Sequence, residues 1–295
     1  MSWWHLARRV RHSFLLERCN GLWDLLRPAY RRLLDIRHQG VPVILGGTAR
    51  MRIPAEFVGG AIYESYEPAT VRAATGWFEL HPDGVFLDIG CAIGVYSALA
   101  LAISTGADVY AFDSDINSLQ STRRFCRYTE RQRLTLIWGF LSDAQIGELS
   151  LIQARELTTV KLADPTITGE PGTNRYVCLG PDLPKEIPVW SVDSLLDGGA
   201  MFLGRPILIK CDVEGAELLV LQGAKRVLSE CSPDLLLSVH PSALPQFGHS
   251  TYDIKSFLEE NGYGIDCIAI DHEEHWWCSK TVSQLIPSQN GLANR

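Results

Sequence analysis

Two sets of residues in this 295-residue chain have the types and spacing to do chemistry. The first is Asp88, Gly90 and Gly94 within Val85-Phe-Leu-Asp-Ile-Gly-Cys-Ala-Ile-Gly94, with Asp113 at the end of Val109-Tyr-Ala-Phe-Asp113. A dinucleotide site would show Gly-x-Gly-x-x-Gly with its pyrophosphate on a helix N-terminus. Here the spacing is Gly-x-x-x-Gly, and Asp88, two residues before the turn, would repel a pyrophosphate. The same carboxylate suits a ligand bearing an ammonium and a sulfonium, a description that fits S-adenosylmethionine. In that reading the backbone N–H groups of the turn face the ligand carboxylate, Asp88 its ammonium and Asp113 its ribose hydroxyls. Cys91, inside the turn with no base beside it, reads as a small packing residue rather than a nucleophile.

The second set is Lys210, Asp212 and Glu214 in Ile209-Lys-Cys-Asp-Val-Glu-Gly-Ala-Glu217, and His240 in Val239-His-Pro241. Methyl transfer is an in-line displacement in which positioning supplies much of the rate. A hydroxyl acceptor also needs a base or a metal close to it. His240 is the preferred base, because an imidazole titrates near neutral pH and needs only a carboxylate to orient it. Asp212 or Glu214 either orients it or is itself the base, and Lys210 pairs with an acid. Substrate-assisted and metal-assisted routes are the remaining alternatives.

The elements that must hold these residues follow from hydrophobic periodicity. The apolar run before Asp88, the glycine turn, and Val95, Leu99 and Ala102 at helical spacing read as strand, turn and helix. Val109 to Phe112 is a second strand, so the unit is a βαβ crossover that delivers Asp88, Gly90 and Asp113 to the carboxyl edge, where α/β sheets bind ligands. Leu134 to Phe140 is a third strand, and Leu149 to Gln153 is a candidate addition. Ile207 to Cys211 is apolar without alternation, as for a central strand buried on both faces. Leu235 to Val239 follows, then Ile265 to Ile270 and His275 to Ser279 as a terminal antiparallel pair around Asp271-His-Glu-Glu274. Helices are expected from Ala69 to Leu80, from Asp115 as N-cap to Thr129, from Glu217 to Glu230, and after the capping-box spacing Ser250-Thr-Tyr-Asp253. The fold class is α/β, a seven-strand, mostly parallel sheet with helices on both faces. Tyr63, Glu64 and Tyr66 precede the cofactor strand and are candidate contacts. Residues 155–185 are rich in Gly and Pro without periodicity, and read either as a substrate-facing lid or as an insertion with no catalytic role.

The downstream segments resemble the FkbM family of S-adenosylmethionine-dependent methyltransferases, in order and over roughly residues 60 to 265. The resemblance rests on Asp88-Ile-Gly-Cys-Ala-Ile-Gly94, Phe112-Asp-Ser114, Leu141-Ser-Asp143, Ile187-Pro-Val189, Val192-Asp-Ser-Leu195, Ile209 to Glu217 and Val239-His-Pro241. Asp212-Val-Glu-Gly-Ala-Glu217 is its most specific part. Three departures stand out: Cys91 and Ala92 replace Ala-Asn in the turn, Asp113 replaces Glu, and Ser114 replaces Pro. The resemblance implies a class I, Rossmann-like methyltransferase that uses S-adenosylmethionine and methylates a hydroxyl oxygen of a sugar, glycan, glycolipid or other natural product. It also implies that Ser114, Ser142 and Asp143 lie along the cofactor, the latter two near its adenine. A non-catalytic S-adenosylmethionine-binding module is the alternative, against which the intact Asp88, Asp113, Asp212, Glu214 and His240 argue.

Composition bounds the rest. A hydrophobic content of 46% over this length suits one large domain with an appendage. Eight scattered cysteines, with no Cys-x-x-Cys pair and no zinc-ligand spacing, indicate neither a disulfide framework nor a structural metal and fit a reducing, cytoplasmic setting. Residues 1–52 carry ten arginines against three acids, +7 within a chain of net −7. They also carry two amphipathic faces, Trp3, Leu6, Val10 and Phe14, then Leu22, Leu25, Ala29, Leu33 and Ile36. This basic extension, 1–52, is read as docking on the acidic methyltransferase domain, 53–286, with peripheral membrane contact through residues 1–40 as the alternative. Residues 287–295 form a polar tail. Nucleic acid is disfavoured as a partner, because the positive charge is confined to the extension.

Overall fold

The structure, a computed structural model, describes residues 40–58, 63–129, 131–143, 151–153, 166–169, 176–179, 189–194 and 204–280. The two amphipathic faces at the N-terminus and the C-terminal tail lie outside these residues. The chain is first described in an antiparallel hairpin, β1 (Val41–Leu45) and β2 (Ala49–Ile53), then helix α1 (Pro68–Leu80). Pro68 sits in the first turn of α1, where its missing N–H costs nothing. Leu45, Met51 and Ile53 are buried in one cluster with Val71, Ala74 and Phe78, so the hairpin belongs to the core that follows it. Trp77 Nε1 donates to Asp234 Oδ2 at 2.9 Å and ties α1 to a later strand.

The crossover units follow: β3 (Val85–Ile89), α2 (Val95–Ile103), β4 (Asp108–Asp113), α3 (Ile116–Phe125) and β5 (Leu134–Trp138). Shorter strands come next: β6 (Phe140–Leu141), β7 (Leu151–Gln153), the paired β8 (Thr166–Gly169) and β9 (Tyr176–Leu179), and β10 (Val189–Trp190), parallel to β6. Apart from β8 and β9, the stretch read as a lid lies outside the described residues. The second half comprises β11 (Ile207–Cys211), α4 (Glu217–Gln222), β12 (Asp234–Val239), α5 (Thr251–Glu260), β13 (Gly264–Ile270) and β14 (Glu274–Ser279).

The main sheet runs β13-β14-β12-β11-β3-β4-β5-β7. All seven expected strands are present, and β7 adds an eighth, antiparallel to β5. The five strands from β12 to β5 are parallel, while β13 and β14 form the antiparallel pair at the other edge. Chain order reverses between β3 and β11, and this switch point opens a crevice at the carboxyl ends of the strands. Every residue of β3 and of β11 is buried, which explains why apolar residues fill both strands except at Asp88 and Lys210. Their side chains alternate between two cores, one holding Phe86 and Leu208 with Leu99 and Phe125, the other Leu87 and Ile209 with Leu218 and Leu237.

Asp115 caps α3 through Asn117 N, and Ser250 and Asp253 form the expected capping box on α5. The helix expected from Glu217 to Glu230 is instead two pieces, α4 and a wide π-type turn over Val227–Cys231. The break falls at Gly223, where a Cβ would stand 2.0 Å from the Ser142 carbonyl oxygen. Asp193 then starts the second piece by accepting from Arg226 N and Val227 N at 3.0 and 2.9 Å. Helical periodicity carried no sign of either contact, because both partners come from the β5–β11 connection.

Candidate active site

The glycine turn after β3 is shaped by two close approaches. Gly90 has φ +76, and a Cβ on it would lie 1.7 Å from the Asp212 carbonyl oxygen at the end of β11. Gly94 has φ +80, and its Cβ would strike Thr122 of α3. Between them Ala92 adopts φ +49, a conformation that favours Asn over Ala. Thr122 Oγ1 donates to Ala92 O at 3.1 Å, and Asp113 Oδ2 accepts from Ala92 N at 2.9 Å, so the turn is held from both sides. Cys91 is buried, its Sγ 3.4 Å from Thr122 Oγ1, and burial pushes its thiol far above the ordinary range.

Asp88 lies beneath this turn and does not reach the cavity wall. It is 1% exposed, and its Oδ2 accepts from Ser97 N and Ser97 Oγ at 2.9 and 2.6 Å, which pins the first turn of α2 to β3. Burial pushes its carboxyl above the usual range against Lys210 and the Ser97 hydrogen bonds.

A cavity of about 330 Å³ runs along the carboxyl edge from Asp113 and Ser114 past Gly90 to Asp212 and Glu214, within the size range of small-molecule sites. Phe112, Phe140 and Leu141 form its apolar end. Ser142 and Asp143 do not line it: Ser142 is buried, its N–H donating to Trp190 O and its hydroxyl to Asp143 Oδ1. Each Asp113 oxygen accepts one backbone N–H, from Ala92 and from Asp115, and keeps lone pairs for ligand hydroxyls. Burial pushes the Asp113 carboxyl up to about 7, against those two hydrogen bonds. Backbone bared by Gly90, an acid with spare acceptor capacity at the apolar end, and carboxylates at the other end fit the nucleoside and the cationic amino-acid portion of S-adenosylmethionine. Asp113→Ala is expected to weaken S-adenosylmethionine binding by roughly 1–3 kcal/mol, read as a dissociation constant by calorimetry; an unchanged constant in a folded variant would remove Asp113 from the site.

The second set converges as its strand positions require. Lys210 is 3% exposed, with Nζ 2.8 Å from Asp212 Oδ2 and 4.8 Å from the centre of the Tyr96 ring. Burial opposes its charge, but Asp212, Asp88 and Glu67 together hold its pKa above the ordinary lysine value. The same pairing, against burial, holds Asp212 below the usual carboxylate range. His240, expected to need one carboxylate, has four. Nδ1 is 2.7 Å from Glu217 Oε1 and Nε2 2.6 Å from Glu273 Oε2, with Glu214 Oε2 at 3.5 Å and Asp212 Oδ1 at 3.7 Å from Nε2. Ionised carboxylates only accept, so both ring nitrogens carry protons. Burial disfavours that charge, but the hydrogen bonds to Glu217 and Glu273 outweigh it and the pKa is pushed up to about 10.

Three residues of this network were not singled out as chemistry in the sequence. Glu217 is 0% exposed, and its Oε1 also accepts from Gly215 N at 3.0 Å; an acid opening the apolar helix Glu217-Leu-Leu-Val-Leu was the available signal. Glu273 arrives from the β13–β14 turn, which no local pattern connects to His240. Glu67, at φ +36, accepts from Tyr96 Oη at 2.6 Å. Of the earlier candidates, Tyr63 is buried and donates to Phe57 O, Tyr66 packs near Tyr96, and Glu64 is exposed.

The family described as Methyltransferase FkbM domain matches residues 88–265. No curated protein matches the chain. Among solved structures, the FkbM methyltransferase of Methylobacillus flagellatus KT is similar at 20% identity over 68% of this chain, with a TM-score of 0.43. This chain spans 44% of that protein's length. The precorrin-6y C5,15-methyltransferase of Geobacter metallireducens is 13% identical over 73% of this chain and 88% of its own, with a TM-score of 0.40. Trm1 of Pyrococcus horikoshii in complex with S-adenosyl-L-methionine is 14% identical over 81% of this chain and 61% of its own, with a TM-score of 0.41. No helix among the described residues is long and apolar enough to cross a membrane.

Proposed function

The chain belongs to the FkbM methyltransferase family, and on that premise we propose that it methylates a hydroxyl oxygen of a sugar, a glycan or glycolipid, or another natural product. The observation that carries the oxygen acceptor is that Asp212 and Glu214 line one end of the cavity, with His240 Nε2 3.7 and 3.5 Å from them, since a neutral hydroxyl needs help in losing its proton. S-adenosylmethionine is the cofactor and supplies an electrophilic methyl group on a cationic sulfur. Asp113 and the Gly90 turn bind and orient it, and the carboxylates near Asp212 favour its positive charge.

Within the charged set, His240 with both nitrogens protonated is a poor base and a good donor. Asp212 is committed to Lys210. Glu214 is 84% exposed, lines the cavity, and holds φ +53, a backbone conformation that is unfavourable for a residue other than glycine. We assign the proton-accepting role to Glu214 and the positioning of its carboxylate to His240, 3.5 Å away. Lys210 and Asp212 set the charge beside the turn.

Calorimetric titration of the full chain with S-adenosylmethionine, S-adenosylhomocysteine and NAD, followed by transfer assays with labelled methyl donor and a panel of sugar and aliphatic alcohols, tests the reading. Binding of the first two only, with label on acceptor oxygen, is the expected result. Cofactor binding with no transfer to any alcohol would overturn it in favour of a non-catalytic module. Glu214→Gln is expected to lower turnover about 100-fold with cofactor affinity nearly unchanged; turnover within twofold of the parent would take Glu214 out of this role.

A further inference from the structure

The β13–β14 turn holds a second cluster: Asp271, Glu273 and His275, whose ligand atoms all lie within 4.8 Å of one another. His275 is 0% exposed. Its Nδ1 lies 3.3 Å from Ser238 Oγ; where that hydroxyl accepts, Nδ1 carries the ring proton and Nε2 presents a lone pair. Nε2 is fully buried and makes no hydrogen bond, yet it faces Asp271 Oδ2 at 3.4 Å and Glu273 Oε1 at 3.5 Å. A buried nitrogen that faces two anionic oxygens without a hydrogen bond calls for a positive charge between them, supplied by a bound cation or by a proton on the ring.

We propose that Asp271 Oδ2, Glu273 Oε1 and His275 Nε2 form a site for a divalent cation of the zinc class. Two of the three separations fit the ion: bonds of about 2.0–2.1 Å in tetrahedral geometry place ligand atoms about 3.4 Å apart, and Nε2 lies 3.4 and 3.5 Å from the two carboxylate oxygens. The donor set, one imidazole and two carboxylates, suits Zn²⁺. Asp271 Oδ1 is already occupied by His272 N at 2.6 Å and Glu273 N at 3.3 Å, which fixes the carboxylate with Oδ2 turned inward. Ser238 plays the outer role that ligating histidines require, holding the far ring nitrogen. Asp271 is 45% exposed, so an ion can enter from solvent. The fourth position is left for water, because His272, 74% exposed, turns its Nδ1 to the other Asp271 oxygen, Oδ1, at 2.9 Å.

The site reaches the candidate active site through one side chain. Glu273 offers Oε1 to the cation and Oε2 to His240 Nε2 at 2.6 Å, so a bound ion fixes the carboxylate that faces the histidine. This inference does not depend on the methyl acceptor.

The full chain, stripped with chelator, is titrated with Zn²⁺ by calorimetry and with Co²⁺ by visible absorption, whose intensity reports a tetrahedral field. One equivalent of Zn²⁺ and an intense cobalt spectrum are expected. Asp271→Asn and His275→Gln are each expected to weaken Zn²⁺ at least about 100-fold. Because His275 is wholly buried, the exposed Asp271→Asn decides the question if His275→Gln fails to fold. No tight Zn²⁺ in the parent chain, undiminished affinity in Asp271→Asn, or loss of the ion in Asp212→Asn instead would each overturn the proposal, the last by placing the ion at the neighbouring Asp212, Glu214 and His240.

Discussion

Gly90→Ala is expected to destabilise the protein by roughly 3–5 kcal/mol and to abolish measurable S-adenosylmethionine binding. The added methyl would stand 1.7 Å from the Asp212 carbonyl oxygen and 2.8 Å from its carbon. Both groups are backbone, and Asp212 N also donates to Ile89 O at 3.0 Å, so relief requires the two central strands to part at the switch point. Alanine at φ +76 adds about 1–2 kcal/mol of its own. Chemical denaturation gives the first quantity and calorimetry the second. A variant with the parent's denaturation midpoint and cofactor affinity would mean that the turn and the end of β11 are not in contact. Gly262, at φ +81 but with open space around its Cβ, is the control: its alanine variant carries the backbone cost without the clash.

The largest pH effect is expected from His240. Its folded pKa of about 10 lies above the ordinary 6.5, so its stabilising contribution is complete below pH 6.5 and is lost as pH rises toward 10. The amount at stake is on the order of 3–5 kcal/mol. Glu217 is the residue to change, because it is wholly buried and contacts Nδ1 at 2.7 Å. Glu217→Gln is expected to cost about 3–5 kcal/mol near neutral pH, as for the loss of one partner from a buried ion pair, and to flatten the fall between pH 6.5 and 10. Denaturation midpoints of the two proteins at several pH values measure both effects. A wild-type protein whose stability is level across that range would show that the ring is not held as an imidazolium.

The charge cluster also ties stability to the reaction. Lys210 and His240 offset most of the charge on Asp212, Glu217 and Glu273 in a buried network, and Glu214 beside it is largely exposed. A substitution within the buried part perturbs folding and turnover together. Glu214 separates them, which makes it the more informative position for kinetics.

Local pattern determined much of this molecule. Apolar runs of five residues, a Gly-x-x-x-Gly turn and the caps at Asp115 and Ser250 specify strands and helix starts through contacts within a few residues, and the main sheet contains every strand so marked. The placement of Asp113, Asp212, Glu214 and His240 at one edge follows from the same logic, because parallel strands end on the same side. Tertiary structure alone decided the rest. Asp88 reads as a ligand contact because it precedes the turn, but a strand residue one pleat back points into the core, where Ser97 takes its carboxylate. The break at Gly223 depends on a carbonyl from Ser142. His240 looks like a near-neutral base beside one carboxylate, yet its protonation is set by Glu217 and Glu273, which reach it from a helix and a distant hairpin. A pKa is the sum of charges close in space, and closeness in space across a sheet is what a linear pattern does not encode.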